Sequence, residues 1–185
     1  MAKYYKFLNQ KGKSIVSAHG SLKWKVGEWN TVNEDKLDIC GYGLHASKKV
    51  YQAFSYVHGD VLALVEVKGK SIKQDDKECW SEMRIVKAYK WTKADSVALS
   101  IFSAELCLKE FEKLYPDDKR PREAIEAARA VLAHDTAKNR GAAESAARSA
   151  AWSAAESAAE SARSAAITKI DRSMTNRIKE LQEIK

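Results

Sequence analysis

The sequence is poor in several features that would assign it to a special class of protein. It has only 8 glycines and 2 prolines among 185 residues, so its composition is neither fibrous nor that of a disordered chain. The three cysteines, Cys40, Cys79 and Cys107, are widely spaced without a C-x-x-C pair, which argues against a disulfide framework or a metal site. No apolar run approaches the roughly 18 residues that a membrane span needs, and MAKYYKFLNQKGK is not a secretory signal. The composition therefore predicts a soluble cytoplasmic protein with no membrane contact.

Positive charge is concentrated in the first half of the chain. The net charge is +7; residues 1–90 hold 16 basic and 10 acidic side chains, whereas residues 91–185 hold 16 and 15. Such an excess favours an anionic partner, with nucleic acid or a nucleotide among the candidates. The lysines are scattered rather than clustered, however, which favours the simpler interpretation of a solvated surface.

The first half has the pattern of a small α+β domain. Residues 61–67 and 83–89 are rich in β-branched side chains and are bounded by turn-forming residues, so each predicts a strand. A helix is predicted over residues 48–56. We expect a small mixed sheet with one or two helices over residues 1–91.

After Trp91 the hydrophobic spacing becomes helical. One helix is predicted to end near Tyr115, because Pro116 disfavours helical geometry in the residue before it. A second begins at Pro121. Residues 167–184 form an amphipathic pattern that packs on the chain's own helices or pairs with a second copy in a homodimer. We expect residues 92–185 to form an all-helical domain.

An alanine-rich repeat is the least ordinary part of the sequence. Residues 141–166 contain 13 alanines and a serine at nearly every fourth position. Alanine is the best helix former, so one helix is predicted over the whole repeat. The side chains that we expect to contact a partner are Trp152 and Arg148 in this helix and Lys48 and Lys49 in the first half.

Several motifs of the first half resemble an uncharacterised domain of bacteriophage and prophage proteins. They are a W-x-x-G-x-W step that starts at Trp24, a C-x-x-G-L-H-A-S step that starts at Cys40, and a V-E-V-x-G strand that starts at Val65. They follow one another in the family's order over residues 11–90. The resemblance implies a phage-type accessory protein and brings no established activity.

The same motifs contain the residues that we expect to be structural anchors. The two tryptophans are large and their indole N–H groups need acceptors, so both are predicted to lie in the core. The glycines permit turns or close backbone approach, and the histidine either bonds to backbone or faces a pocket. The predicted anchors are Trp24, Gly27, Trp29, Gly41, Gly43 and His45.

A different set of residues resembles the H-Y-E layout of poly(ADP-ribose) polymerase-like ADP-ribosyltransferases. The pieces are a His-Gly turn at His19, a Gly-x-Gly-Leu-His segment that ends at His45, and Glu82 beside a strand. The resemblance implies that His19 holds the nicotinamide ribose, that His45 replaces the stacking tyrosine, and that Glu82 is the catalytic acid. NAD is the cofactor under this alternative, and none is expected otherwise.

The helical half resembles a family of helical immunity proteins. Residues 111–133 match its Y-P-x-D-x-R-P-x-x-A-I-E-A motif, and alanine-rich repeats follow in both. The charged residues of the motif can equally fix the turn between two helices, which is the interpretation we favour. They are Asp117, Asp118, Arg120 and Arg122.

Binding is favoured over catalysis, because the sequence contains no Walker loop, no H-E-x-x-H and no nucleophile elbow. We expect a phage-type accessory protein that binds a host protein or nucleoprotein complex stoichiometrically and inhibits or modulates it, as in an anti-phage defence of the CRISPR type. Two alternatives stay open. One is an NAD-dependent ADP-ribosyltransferase, and the other is a protein that binds nucleic acid non-specifically.

Overall fold

The architecture is α+β, with an antiparallel sheet in the first half of the chain and helices in the second. The computed structural model describes residues 3–141 and 160–184. The chain divides into two compact units, one comprising Met1–Thr92 with Met174–Lys185 and the other Lys93–Ser173. The end of the chain thus belongs to the first unit, which differs from the single helical domain expected over residues 92–185.

The first unit is built on an eight-stranded sheet. Its strands are β1 (Tyr4–Lys11), β2 (Ser14–Val16), β3 (Lys23–Trp24), β4 (Trp29–Thr31), β5 (Leu44–Ala46), β6 (Val61–Lys73), β7 (Glu78–Lys90) and β8 (Glu183–Ile184). Their spatial order is β3-β2-β1-β6-β7-β4, and β5 and β8 also pair with β7. The described strand pairs are antiparallel, so the prediction of a mixed sheet is wrong. Parallel geometry appears in an isolated bridge between Val26 and Ile85.

Strand β5 bends the sheet towards a barrel. It pairs with the first three residues of β7. The residue after it, Ser47, exchanges two backbone hydrogen bonds with Tyr5 of β1, at 2.8 and 3.0 Å. Because β1 and β7 both pair with β6, the four strands form a nearly closed ring.

The helices lie close to where the sequence predicts them. They are α1 (Val50–Tyr56), α2 (Lys93–Leu114), α3 (Arg120–Ala133) and α4 (Glu160–Arg177), with 3-10 turns at Glu34–Lys36 and Ile178–Glu180. Most of the predicted alanine-rich helix over residues 141–166, with Trp152 and Arg148, lies outside the described residues. In the ranges 3–141 and 160–184, no helix combines the length and the apolar character that crossing a membrane requires.

The two tryptophans expected in the core occupy different environments. Trp24 is 3% exposed, and its indole N–H donates a hydrogen bond to Ser17 Oγ at 2.9 Å. Trp29 is 36% exposed, which differs from the core position expected for it. It lies on the short strand β4, opposite Arg84, with the Lys68 ammonium 4.4 Å from its ring centroid. Trp29 therefore packs under cations on the outer surface of the sheet.

In the helical unit, charged side chains fix the connection between α2 and α3. Arg120 donates to the Asp118 carboxylate through Nε at 2.8 Å and through Nη2 at 2.6 Å. Arg122 makes two bonds of 2.7 Å to Glu112 of α2. These contacts agree with the interpretation of the Asp-Asp-x-Arg-Pro-Arg segment as a turn, with Pro121 in the first turn of α3.

The chain returns to the sheet after α4. The amphipathic helix expected over residues 167–184 ends at Arg177, and β8 then pairs with Ala88 and Tyr89 of β7. The Lys90 N–H donates to the Gln182 carbonyl at 2.9 Å. Residues 183 and 184 are a strand because this part of β7 offers them backbone partners, which a local hydrophobic pattern does not reveal.

Candidate ligand-binding cavity

A cavity of about 370 Å³ lies in the first unit, against β5. Strands β1, β3 and β5, helix α1, and the loops after β2, before β5 and after β6 contribute to its lining. The basic residues of the lining are Lys6, His19, His45 and Lys77. Within the described part of the chain, no aspartate or glutamate lines the cavity.

Lys6 lies on the inner side of β1. Side chains alternate between the two faces of a strand, so Lys6 shares a face with Tyr4 and Leu8, which are 5% and 0% exposed. Its ammonium lies 5.7 Å from the ring centroid of Trp24, another core residue. The strand therefore carries a lysine at a position where its pattern calls for an apolar side chain.

The amine of Lys6 has no counter-ion among the described residues. Its Nζ donates a hydrogen bond to the backbone carbonyl of His45 at 2.8 Å, and no described carboxylate forms an ion pair with it. Burial lowers the pKa of Lys6 to about 8, against the weaker opposing effect of the Cys79 thiol. An unpaired ammonium in such a place costs stability, so a bound anion would find a ready partner there.

His45 lies on β5 between two buried residues, Leu44 and Ala46, and its ring belongs to the cavity. Its Nε2 is 3.3 Å from the carbonyl oxygen of Asp38. Burial lowers the pKa of His45, the charges of Lys6 and Lys77 lower it further, and the contact with Asp38 opposes them. The imidazole is therefore neutral at neutral pH and can act as a proton acceptor and a proton donor.

The loop before β5 is shaped by Asp38 and by two glycines. The Asp38 carboxylate accepts hydrogen bonds from the N–H groups of Cys40, at 2.8 Å, and Gly41, at 3.1 Å. Gly43 has a φ of +138°, and a Cβ there would lie 2.1 Å from Cys79 Sγ. Only glycine fits that position, which holds one wall of the cavity against β7.

The rim of the cavity contains Lys77, Cys40 and Tyr56. The Lys77 ammonium lies 3.6 Å from Cys40 Sγ and 4.6 Å from the ring centroid of Tyr56. The Tyr56 hydroxyl donates to the Asp76 carboxylate, and this bond, with burial, raises the pKa of Tyr56 to about 12. A cation and an aromatic ring thus lie together at the rim.

The structure brings together two of the three residues expected for an ADP-ribosyltransferase. His19 and His45 both line the cavity, whereas Glu82 is not part of its lining and pairs with Lys68 at 3.0 Å. The reason is alternation along β7: Cys79 lies opposite His45, and a residue three positions further points to the other face.

The other expected contact residues of the first half have partners of their own. Lys48 Nζ lies 2.8 Å from the carboxylate of Glu78, which also accepts from the Tyr4 hydroxyl at 2.9 Å. Lys49 lies 5.9 Å from the ring centroid of Tyr51. Among residues 3–141 and 160–184, no group of three or more histidine, cysteine or acidic side chains could hold a metal ion.

Sequence reasoning missed Lys6 and Lys77. The available signal for Lys6 was its position midway between Tyr4 and Leu8, because residues two apart on a strand share a face and both of these neighbours are buried. Lys77 gave no such signal, because only the path of the loop between β6 and β7 brings it to the cavity.

A family model described as a domain of unknown function (DUF7666) matches residues 2–96. This segment contains every residue that lines the cavity. No curated protein and no solved structure matches the chain significantly. The phage-type role and the likeness to helical immunity proteins therefore stay predictions.

Proposed function

The chain belongs to the DUF7666 family, and we propose that the domain it shares with that family is a stoichiometric binding module for a small anionic ligand of the nucleotide class. The observation that carries the proposal is the charge of the cavity. Two lysines and two histidines line it, and no carboxylate of the described chain does. An anion entering the cavity therefore meets attraction without a competing internal counter-ion.

Lys6 is the main anchor for the anion. Its ammonium is enclosed and unpaired, so a phosphate oxygen at hydrogen-bond distance would relieve the cost of burying it. Because part of the charge of an enclosed lysine is lost near pH 8, a bound anion would also raise the pKa of Lys6. Lys77 at the rim adds a second cation.

The walls of the cavity favour a ligand with a flat aromatic part. Phe7, Trp24 and Tyr56 belong to the lining, and apolar side chains of β5 and α1 complete it. A volume of about 370 Å³ falls at the small end of the range typical of ligand sites. The combination of aromatic walls with cations suits a mononucleotide better than inorganic phosphate alone.

Such a module also suits the inhibitory accessory role that the sequence predicts. A protein that holds one nucleotide per chain withdraws that nucleotide from any receptor that uses it as a signal. The host target then lacks its ligand, although the protein does not bind the target itself. This mode of action needs no catalysis, and the nucleotide is recovered intact.

Isothermal titration calorimetry with adenosine, AMP and inorganic phosphate tests the proposal. We expect one AMP per chain, with affinity at least tenfold above that of adenosine, about 1.4 kcal/mol. Lys6→Met and Lys77→Met should each weaken AMP binding, whereas Lys13→Met, which removes the same charge from an exposed turn, should not. No binding of any phosphate compound, or an equal loss in Lys13→Met, would overturn the proposal.

A second candidate function is the ADP-ribosyltransferase, and the observation that favours it is that His19 and His45 line one cavity. It predicts transfer of label from NAD to a component of a cell lysate, with loss of transfer in Glu82→Gln. Binding of NAD with the intact dinucleotide recovered, in the wild type and in Glu82→Gln alike, would favour the binding module.

A further inference from the structure

The Lys6 amine is anchored by one hydrogen bond at the lining of the cavity. One hydrogen goes to the His45 carbonyl at 2.8 Å, and no other hydrogen bond to this nitrogen is present among the described residues. A neutral primary amine has two N–H groups and one lone pair. One N–H donates to the His45 carbonyl, and no described group donates a hydrogen bond to the nitrogen. The lone pair of the neutral amine is therefore not engaged.

The groups around Lys6 stabilise its ammonium form less than burial destabilises it. His45 faces it from β5, the Cys79 thiol from β7, and Trp24 from β3. Tyr5, His19, Cys40, Tyr56 and Lys77 are the remaining titratable groups of the cavity. None of these is a carboxylate, so the neutral amine is accessible near neutral pH, consistent with a pKa of about 8.

From this placement we infer that Lys6 is a covalent attachment point: its amine condenses with a small aldehyde or ketone that enters the cavity and forms an imine. The nitrogen lone pair attacks the carbonyl carbon, and the carbonyl oxygen takes up a proton to give a carbinolamine. Loss of that oxygen as one water molecule forms the C=N bond. One amine and one carbonyl compound give one imine and one water, so no oxidant or reductant is needed.

The imidazoles supply the proton transfer that this step requires. The amine must lose a proton and the departing hydroxyl must gain one. His45 and His19 line the same cavity, and an imidazole ring can accept a proton and donate one. Phe7, Leu44 and Val57 add apolar side chains to the lining beside these polar groups.

The inference goes beyond the proposed function, because a nucleotide has no aldehyde or ketone group to condense with Lys6. Anion binding uses the charged form of Lys6, and imine formation uses the neutral form. Both forms are populated near pH 8, so one residue supports either event. Each can fail without the other.

Reductive labelling of the full chain tests the inference. The protein is incubated with propanal and sodium cyanoborohydride at pH 7, and labelling rates are read at each lysine by peptide mass spectrometry. At pH 7, a pKa of about 8 gives Lys6 a neutral fraction about 300-fold above that of an ordinary lysine. The expected gain in labelling rate is smaller than this, because a less basic amine is also a weaker nucleophile. We expect Lys6 to be labelled at least tenfold faster than the exposed Lys11 and Lys13. When the labelling rate of Lys6 is measured over a series of pH values, we expect it to reach half of its maximum near pH 8.

Matched controls separate this outcome from general lysine reactivity. Lys6→Arg keeps the charge and cannot form an imine, so one fast site should disappear while the other rates stay unchanged. Labelling of Lys6 no faster than that of Lys11 and Lys13 overturns the inference, and this comparison within the wild type stands even if the variant does not fold.

Repeating the labelling with AMP present distinguishes the two proposals. Slower labelling at Lys6 supports both. Fast labelling that AMP does not slow supports imine formation at Lys6 and counts against nucleotide binding. AMP binding by calorimetry with an unreactive Lys6 has the opposite meaning, because it supports the binding module and excludes the imine.

Discussion

Lys6 Nζ donates a hydrogen bond to the backbone carbonyl of His45 across 2.8 Å. The bond joins β1 to β5, next to the point where Tyr5 and Ser47 exchange backbone hydrogen bonds. A ligand that draws the amine towards itself therefore also acts on β5, the short strand that carries His45. Lys6 therefore contributes to the charge of the cavity and also makes one contact between β1 and β5.

Replacing Lys6 by methionine should stabilise the unliganded protein while it removes anion binding. Methionine matches the length of the aliphatic stem and removes the cost of burying an unpaired charge. At pH 7 we expect the free energy of unfolding to rise by about 1 kcal/mol, which corresponds to a few degrees in Tm. Thermal unfolding followed by circular dichroism measures it.

The size of this gain should depend on pH. The folded-state pKa of Lys6, about 8, lies below its ordinary value of 10.5, so the folded protein loses this proton first as pH rises. The advantage of Lys6→Met is therefore full below pH 8 and shrinks between pH 8 and 10.5. A variant less stable than the wild type at pH 7 would contradict the role assigned to this lysine.

Anion binding should weaken as pH rises through the titration of Lys6. An anionic ligand prefers the protonated amine, so the association constant for AMP is expected to fall as pH rises above 8, the pKa of Lys6 in the free protein, until pH passes the higher pKa of Lys6 in the complex. In Lys6→Arg the charge persists at all these pH values, so the decline should be absent. Calorimetry at pH 6.5, 8 and 9.5 on both proteins tests this, and parallel declines would refute it.

Glu78 should stabilise the first unit through its charge. Its side chain accepts hydrogen bonds from Tyr4 at 2.9 Å and Trp80 at 3.2 Å and pairs with Lys48 at 2.8 Å. Burial raises the pKa of Glu78, but the bonds from Lys48 and Tyr4 outweigh it, and the pKa ends below its usual range. We expect Glu78→Gln to cost about 1–3 kcal/mol at pH 7, measured by urea unfolding.

The acid dependence of that loss follows from the lowered pKa. The contribution of Glu78 is present above its ordinary pKa and is lost as pH falls through the lower folded-state value. The difference between wild type and Glu78→Gln should therefore narrow in acid. Glu82→Gln, which replaces a more exposed carboxylate on the same strand, is the matched control and should cost less. Equal losses in the two variants would count against the buried cluster.

Two glycines of the expected anchor set should differ in their tolerance of alanine. Both have positive φ, but a Cβ at Gly43 would lie 2.1 Å from Cys79 Sγ, whereas a Cβ at Gly27 meets nothing within 4 Å. Gly27→Ala should cost about 1 kcal/mol from backbone strain alone, and Gly43→Ala about 3 kcal/mol or more. Urea unfolding of both variants decides the order, and similar costs would show that the loop relaxes around position 43.

The sequence predicted the parts of this molecule that depend on local pattern. The β-branched runs at residues 61–67 and 83–89 lie in β6 and β7, and the two prolines mark the end of α2 and the beginning of α3. The sequence predicts Trp24 as a core anchor from its size and from the need of its indole N–H for an acceptor, and its position in the core agrees with that prediction. Trp29 has the same size, yet it lies on an edge strand that faces solvent, because its exposure is decided by pairing with β7.

The parts that escaped prediction depend on contacts between distant segments. Lys6 and His45 come together because β5 pairs with β7 and the residue after β5 pairs with β1. The residues of these strands, taken alone, do not predict that pairing. Glu82 was grouped with the histidines by motif, but the alternation of β7 turns it to the opposite face. The last strand has partners nearly a hundred positions earlier in the chain, as the 3.1 Å contact between Lys87 and Glu183 shows.

The pairing of β8 with β7 has a consequence for how this protein matures on the ribosome. Residues 88 and 89 leave the exit tunnel long before residues 183 and 184 have been translated. During that interval one stretch of the sheet edge lacks its final neighbour, while the intervening helices emerge and fold. The first unit can acquire its cavity early, but its sheet is completed only when residues 183 and 184, which follow the helices in the chain, have been synthesised.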